Sequence, residues 1–178
     1  MKHILIVVDM QNDFIDGALG TKEAQEIVEN VADKIRNFKG DIYGTLDTHG
    51  EDYLTTQEGR NLPVTHCIYG EDGWGLNGEI LQALAETQAE VHDFCKKGAF
   101  GSKELGDLLA AECGAEECTI EMIGVCTDIC VISNAMILKS VLPEAKITVD
   151  ASCCAGVTPE SHNNALEAMK VCQIEVQS

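Results

Sequence analysis

The strongest constraint on the fold is an alternation. Short runs of continuous apolar residues are separated by stretches whose apolar positions repeat at helical spacing. The first run is Ile4-Leu5-Ile6-Val7-Val8, within a strand over 2–8. Residues 21–38 then carry Ala24, Ile27, Val28, Val31, Ile35 and Phe38 on one helical face, and Gly40 follows as a stop. A second strand covers 41–46, and an irregular stretch of Gly, Asp, Thr and Pro runs on to about Gly78. The pattern resumes with a helix at 79–86, a strand at 90–95, a helix at 102–111, a strand at 117–123 and a helix at 128–139. A strand at 146–149, a helix at 160–170 and a strand at 171–176 complete it. Strands that are apolar throughout are buried on both faces, which is the mark of a parallel sheet covered by helices. The expectation is an α/β fold: three layers, α/β/α, around a parallel sheet of about six strands. One domain over residues 1–178 is long enough to bury such a core.

Charge and cysteine usage narrow the partners. Twelve basic residues against thirty acidic ones give a net charge of −18. That surface repels nucleic acid and anionic membranes, so neither is an expected partner. The first apolar run is cut short by Asp9 and is followed by no cleavage site, so the cytoplasm is the expected location. The nine cysteines are odd in number and include no Cys-x-x-Cys pair. They read as small apolar fillers in a reducing cell rather than as a disulfide framework.

Chemistry gathers at the strand ends. In an open parallel sheet the site lies outside the carboxyl ends of the strands. Here the first strand ends in Asp9 and the second in Asp47-Thr48-His49. The third runs into Cys95-Lys96-Lys97, the fourth into a turn with Cys126 and Cys130, and the fifth into Asp150. A single such Asp would merely cap a turn. Recurrence at successive strand ends points to a catalytic constellation. Within Gly124-Val125-Cys126-Thr127-Asp128-Ile129-Cys130-Val131, Cys130 falls near a helix N-terminus. Unpaired N–H groups and the helix dipole there favour a thiolate and can hold an oxyanion. A buried, unreactive cysteine is the alternative.

These segments resemble the isochorismatase-like cysteine hydrolases, the superfamily that includes nicotinamidases. The likeness runs through Val7-Val8-Asp9-Met10-Gln11-Asn12-Asp13-Phe14, Asp47-Thr48-His49, Pro63-Val64-Thr65-His66-Cys67 and Gly70-Glu71-Asp72-Gly73. It continues through Lys97-Gly98-Ala99-Phe100-Gly101, Gly124 to Val131, and Asp150-Ala151 to Thr158-Pro159-Glu160-Ser161-His162. The resemblance implies a six-stranded parallel sheet and an Asp9–Lys97–Cys130 triad, with Lys96 as the competing lysine. It implies a cis peptide at Val125–Cys126 and an oxyanion hole from the N–H groups of Cys126 and Cys130. It also implies a divalent metal, Zn or else Fe or Mn, on Asp47, His49 and His66. The substrate would be a small amide, nicotinamide or a similar one, cleaved through a thioester, and the chain would be a homo-oligomer.

Two departures bear on the substrate. No further histidine follows the Asp-x-His pair near Tyr53, and Leu62 replaces the tryptophan that often precedes the Pro-x-His segment. Phe14 and Trp74 are the candidates to line the pocket instead. Two other functions stand beside the amidase: an isochorismatase-type vinyl-ether hydrolase, which needs no thiol, and a non-enzymatic redox-sensing thiol protein. His3, His92 and His162 are assigned no catalytic role.

Overall fold

The computed structural model describes residues 1–114 and 117–178. Its centre is a parallel sheet of seven strands: β1 (Lys2–Val8), β2 (Asp41–Asp47), β3 (Glu90–Val91), β4 (Cys95–Lys97), β5 (Cys118–Val125), β6 (Lys146–Ala155) and β7 (Glu175–Gln177). The order across the sheet is β3-β2-β1-β5-β6-β7, with β4 also pairing β2. The expected count of six becomes seven because the strand placed at 90–95 is two pieces. β3 pairs with the start of β2 and β4 with its end, so both occupy one edge of the sheet.

The helices cover both faces. Successive residues of β1 point to opposite sides and all of Ile4 to Val8 are buried. Leu5 and Val7 pack with Val28, Val31 and Ile35 of α3 (Val28–Asn37) and with Ile80 and Ala83 of α5 (Gly78–Glu86). Ile4, Ile6 and Val8 face α6 (Lys103–Cys113), α7 (Ile132–Val141) and α8 (Pro159–Val171) through Leu105, Leu109, Leu138 and Leu166. Each Val, Leu or Ile side chain among them contributes roughly 1.5–3 kcal/mol by leaving water. Short helices α1 (Asn12–Ile15), α2 (Lys22–Glu26) and α4 (Gln57–Asn61) complete the chain.

Several boundaries differ from the sequence expectation. The helix expected over 21–38 is divided at Ile27 into α2 and α3. The helix expected at 128–139 begins as a π-helical turn, Thr127–Val131, before α7. The last strand starts at Glu175, because Val171 is 85% exposed and continues α8 rather than entering the sheet. β6 runs to Ala155 with a register shift, so Val149 pairs Met122 and Cys154 pairs Gly124. Cys113 and Cys118 form a disulfide, while the other seven cysteines are free thiols.

The topology fixes where a site can form. From β1 the chain moves outward through β2 to β3 and β4, then returns to lay β5 on the other side of β1. The crevice at that reversal lies between the ends of β1 and β5. Gly124 lets the two ends close together: a Cβ there would sit 2.1 Å from the Val8 carbonyl oxygen, and its φ is +119°. Asp9 follows at a φ of 47°, a left-handed conformation uncommon for a residue with a side chain.

Candidate active site and metal cluster

Strand register sets the lysine. Asp47 of β2 pairs with Lys97 of β4, so the two side chains start side by side. Cys95 and Lys97 are buried and Lys96 between them is exposed, as strand alternation requires. The Lys97 ammonium lies 2.7 Å from Asp9 Oδ2, 3.3 Å from Asp47 Oδ1 and 3.4 Å from Cys130 Sγ, and it donates to the Ala99 carbonyl at 3.1 Å. Lys96 instead places its ammonium 4.7 Å from the centre of the Tyr69 ring. The structure thus brings Asp9, Lys97 and Cys130 together and leaves Lys96 outside.

Asp9 is fully buried, and its two oxygens differ. Oδ1 accepts a 2.7 Å hydrogen bond from the Thr45 hydroxyl. Oδ2 touches the Lys97 ammonium as an ion contact but accepts no aligned hydrogen bond, so a lone pair stays available. Burial raises the Asp9 carboxyl above its ordinary range, with Lys97 opposing. Burial would lower Lys97, but Asp9, Cys130 and Asp47 outweigh it and keep the ammonium charged. Burial also pushes the Cys130 thiol well up; Asp9 adds to that, and Lys97 offsets it only in part. Burial thus opposes the thiolate that a helix terminus would favour. The neighbouring Cys126 thiol is pushed up to about 12, again by burial. The Val125–Cys126 peptide is cis.

The motif after β1 is mostly scaffolding. Gln11 clamps Asp47: its Oε1 accepts from the Asp47 N–H at 2.7 Å and its amide donates to the Asp47 carbonyl at 2.9 Å. Asp13 accepts from the Cys67 N–H at 2.7 Å and so holds the loop behind His66.

A second cluster lies beyond Asp47. His49 Nε2 and His66 Nε2 sit 3.0 and 3.4 Å from Asp47 Oδ2, and Glu58 Oε1 lies 3.6 and 3.9 Å from the same two nitrogens. Donor atoms of all four residues lie within 4.8 Å of one another, a spacing suited to one ion. His66 settles the fit. Its Nδ1–H donates to the Val64 carbonyl at 2.8 Å, so in the neutral ring Nε2 carries the lone pair and faces carboxylate oxygens. Acceptors facing acceptors need a proton or a cation between them. Burial would lower His66, but Asp47 and the Val64 carbonyl outweigh it and raise it. Burial would likewise raise Asp47, yet its hydrogen bonds with His49 and His66 hold it well below the usual carboxylate range. Two imidazoles and two carboxylates suit Zn²⁺, Fe²⁺ or Mn²⁺. Glu58 was not anticipated. It stands where a third histidine was sought, in α4, five residues beyond Tyr53.

Between thiol and cluster lies a cavity of about 240 Å³. Cys126, Cys130, Asp47, Glu58 and His66 line it, and Phe14, Leu62, Phe100 and Ile129 form apolar walls. Phe14 also meets the His66 ring edge-on at 5.6 Å. Trp74, expected at the pocket, is elsewhere: its indole N–H donates to Thr48 Oγ1 and its ring packs on Tyr69. Asp150, expected among the strand-end acids, is held instead by Lys34 at 2.6 Å and by the Ser152 hydroxyl. Among the described residues, no helix is long and apolar enough to cross a membrane.

A family model described as the isochorismatase domain matches residues 3–178. The uncharacterized isochorismatase family protein PncA of Bacillus subtilis (strain 168) is 31% identical over 146 residues, which cover 76% of this chain and 78% of that protein. Among solved structures, the nicotinamidase/pyrazinamidase PncA from Bacillus subtilis superposes with a TM-score of 0.81 at 26% identity, over 100% of both chains. The pyrazinamidase of Pyrococcus horikoshii, solved in complex with zinc, gives a TM-score of 0.76 at 27% identity over 100% of both chains. The chain belongs to the isochorismatase family.

Proposed function

We propose that the protein is a cysteine amidase that hydrolyses a small, uncharged carboxamide, nicotinamide or a close analogue, to the carboxylate and ammonia. The observation that carries this reading is the Lys97 ammonium, 2.7 Å from Asp9 and 3.4 Å from Cys130, behind a cavity lined by Cys130 and by members of a metal-competent cluster.

Asp9 takes the thiol proton, which its raised pKa suits it to do. Cys130 Sγ then attacks the amide carbon, and the oxygen gains the negative charge. The N–H groups of Cys126 and Cys130 receive that oxyanion, at a saving of a few kcal/mol in the barrier. Collapse breaks the C–N bond, the Asp9 proton passes to the leaving nitrogen, and ammonia departs from a thioester on Cys130. Water, deprotonated by Asp9, adds to the thioester; the carboxylic acid leaves and the thiol is restored. Lys97 stays charged throughout and holds Asp9 and the sulfur in register. A divalent ion held by Asp47, His49, Glu58 and His66 would supply a Lewis-acid contact for a basic heteroatom of the substrate.

The cavity walls favour a flat, neutral substrate. No lysine or arginine lines the cavity among the described residues, so a dicarboxylate would find no cationic side chain there. That speaks for the amide over the vinyl-ether reaction. Ammonia release from nicotinamide by the zinc-loaded protein, set beside Cys130→Ala, tests the proposal. Turnover is expected in the native chain, with a loss of at least about 10³-fold in the variant. Turnover that survives Cys130→Ala would contradict it.

A further inference from the structure

Lys97 and Cys130 reach the crevice on separate segments, and their alignment needs a physical cause. Lys97 ends β4, and the chain then runs through residues 98–102 before α6 begins at Lys103. That loop has no helix or strand, and Gly98, Ala99 and Phe100 are exposed. It nevertheless carries two parts of the site: the Ala99 carbonyl that accepts from Lys97 Nζ, and the Phe100 ring that walls the cavity. An exposed loop of this kind moves unless something beneath it holds it.

Asn134 lies beneath it. This side chain of α7 is only 1% exposed, and both ends of its amide are used. Oδ1 accepts the Ser102 N–H at 2.8 Å; Nδ2 donates to the Cys130 carbonyl at 2.8 Å and, less closely, to the Phe100 carbonyl at 3.4 Å. No other side chain among the described residues bonds the backbone of both the Cys130 turn and the 98–102 loop. Gly101 completes the seam. A Cβ there would lie 2.5 Å from Ile137 Cδ1, so the absence of a side chain lets the loop lie against α7 without displacing Ile137.

We propose that Asn134 is a positioning residue that sets the distance between the Lys97 ammonium and the Cys130 thiol by tying the lysine's loop to the backbone of the nucleophile. Its amide reads both segments at once, which a side chain with a single donor or acceptor cannot do. Loss of the tie lets the loop drift by a fraction of an ångström to an ångström, a misplacement that costs up to about 10²-fold in rate. The substrate-binding walls other than Phe100 come from other segments, so binding suffers less than turnover.

The kinetic part of this inference rests on the amidase reading; the reactivity of Cys130 does not. The test therefore uses two measurements on the full chain with Asn134→Ala: steady-state amide hydrolysis, and the rate of Cys130 alkylation by iodoacetamide followed by peptide mass mapping. The expected result is a fall of about 10- to 100-fold in kcat with KM within about 2-fold, and a parallel fall in alkylation rate. Asn134→Asp keeps the acceptor for Ser102 but loses both donors, and should fall between native and Ala. If Asn134→Ala does not fold, Gly101→Ala leaves every hydrogen-bonding group in place while prising the seam open; slowed alkylation is expected there too. A folded Asn134→Ala, or in its absence a folded Gly101→Ala, with native alkylation and native kcat would overturn the proposal. If native protein shows no amide turnover yet the variants still slow alkylation, the positioning role stands and the amidase reading fails.

Discussion

Two buried clusters meet at the contact between Lys97 and Asp47, and they balance their charges in different ways. On the triad side, the Lys97 ammonium is matched within the protein by Asp9 at 2.7 Å and Asp47 at 3.3 Å. On the other side, Asp47 and Glu58 face the Nε2 atoms of His49 and His66, and no lysine or arginine belongs to that group. The first cluster is complete as folded. The second is an acceptor set that a divalent ion would complete. Lys97 and Asp47 come from paired strands, where register fixes them; the acceptor set draws three of its four members, His49, Glu58 and His66, from the long connection after β2, which the sheet does not fix.

The most damaging way to break this contrast is to remove the shared cation. Lys97→Met leaves Asp9 buried and uncompensated, which typically costs about 3–5 kcal/mol of stability, and amide turnover should fall by at least about 10²-fold with it. Denaturant midpoints and ammonia release would show both. A smaller effect should be confined to the other cluster. Glu58→Gln removes one carboxylate and should weaken zinc binding about 10- to 100-fold, read by competition with a chromophoric chelator, while Cys130 alkylation stays native. Loss of thiol reactivity in that variant would mean that the clusters are not separable.

The smallest effect lies away from both. Burial would raise Asp150, but Lys34 and Ser152 outweigh it and hold its carboxyl below the usual value of about 3.9. A depressed folded-state pKa gives stability that is present above the unfolded value and is lost as acid protonates the group. Native protein and Asp150→Asn should therefore differ in urea midpoint near neutral pH and converge as the pH falls through the depressed folded-state pKa. The gap should stay under about 1 kcal/mol, because the ion pair is partly in water.

How much of this was legible follows the same division. β1 could be read from a continuous apolar run and β2 and β5 from their place in the alternation with helices, and the residues at or after the ends of these strands gave Asp9, Asp47, His49 and Cys130 directly. The choice between Lys96 and Lys97 could not be made until the β2–β4 register was known, since adjacent strand residues face opposite ways. β3 is two exposed residues on an edge and carries no apolar signal, so one strand was read where there are two. Glu58 was hidden because an acidic residue on a short helix looks like any solvated residue until the loop closes on His66. Asp150 and Trp74 misled for the converse reason. Reactive or aromatic types near the strand ends, they are engaged by Lys34 and Tyr69, partners that sequence proximity does not disclose. Asn134 and Gln11 are neutral amides, and only their two-sided hydrogen bonding reveals what they hold.

The central claim is that Cys130 becomes acylated during turnover with Asp9 as its base. Acid quenching of the zinc-loaded protein during nicotinamide hydrolysis, followed by mass mapping of the Cys130 peptide, tests it most directly. The account predicts a transient mass gain equal to the substrate's acyl group on Cys130, absent from Cys130→Ala and strongly reduced in Asp9→Asn. Ammonia released at the native rate from Cys130→Ala, with no acyl group found on the native peptide, would contradict it.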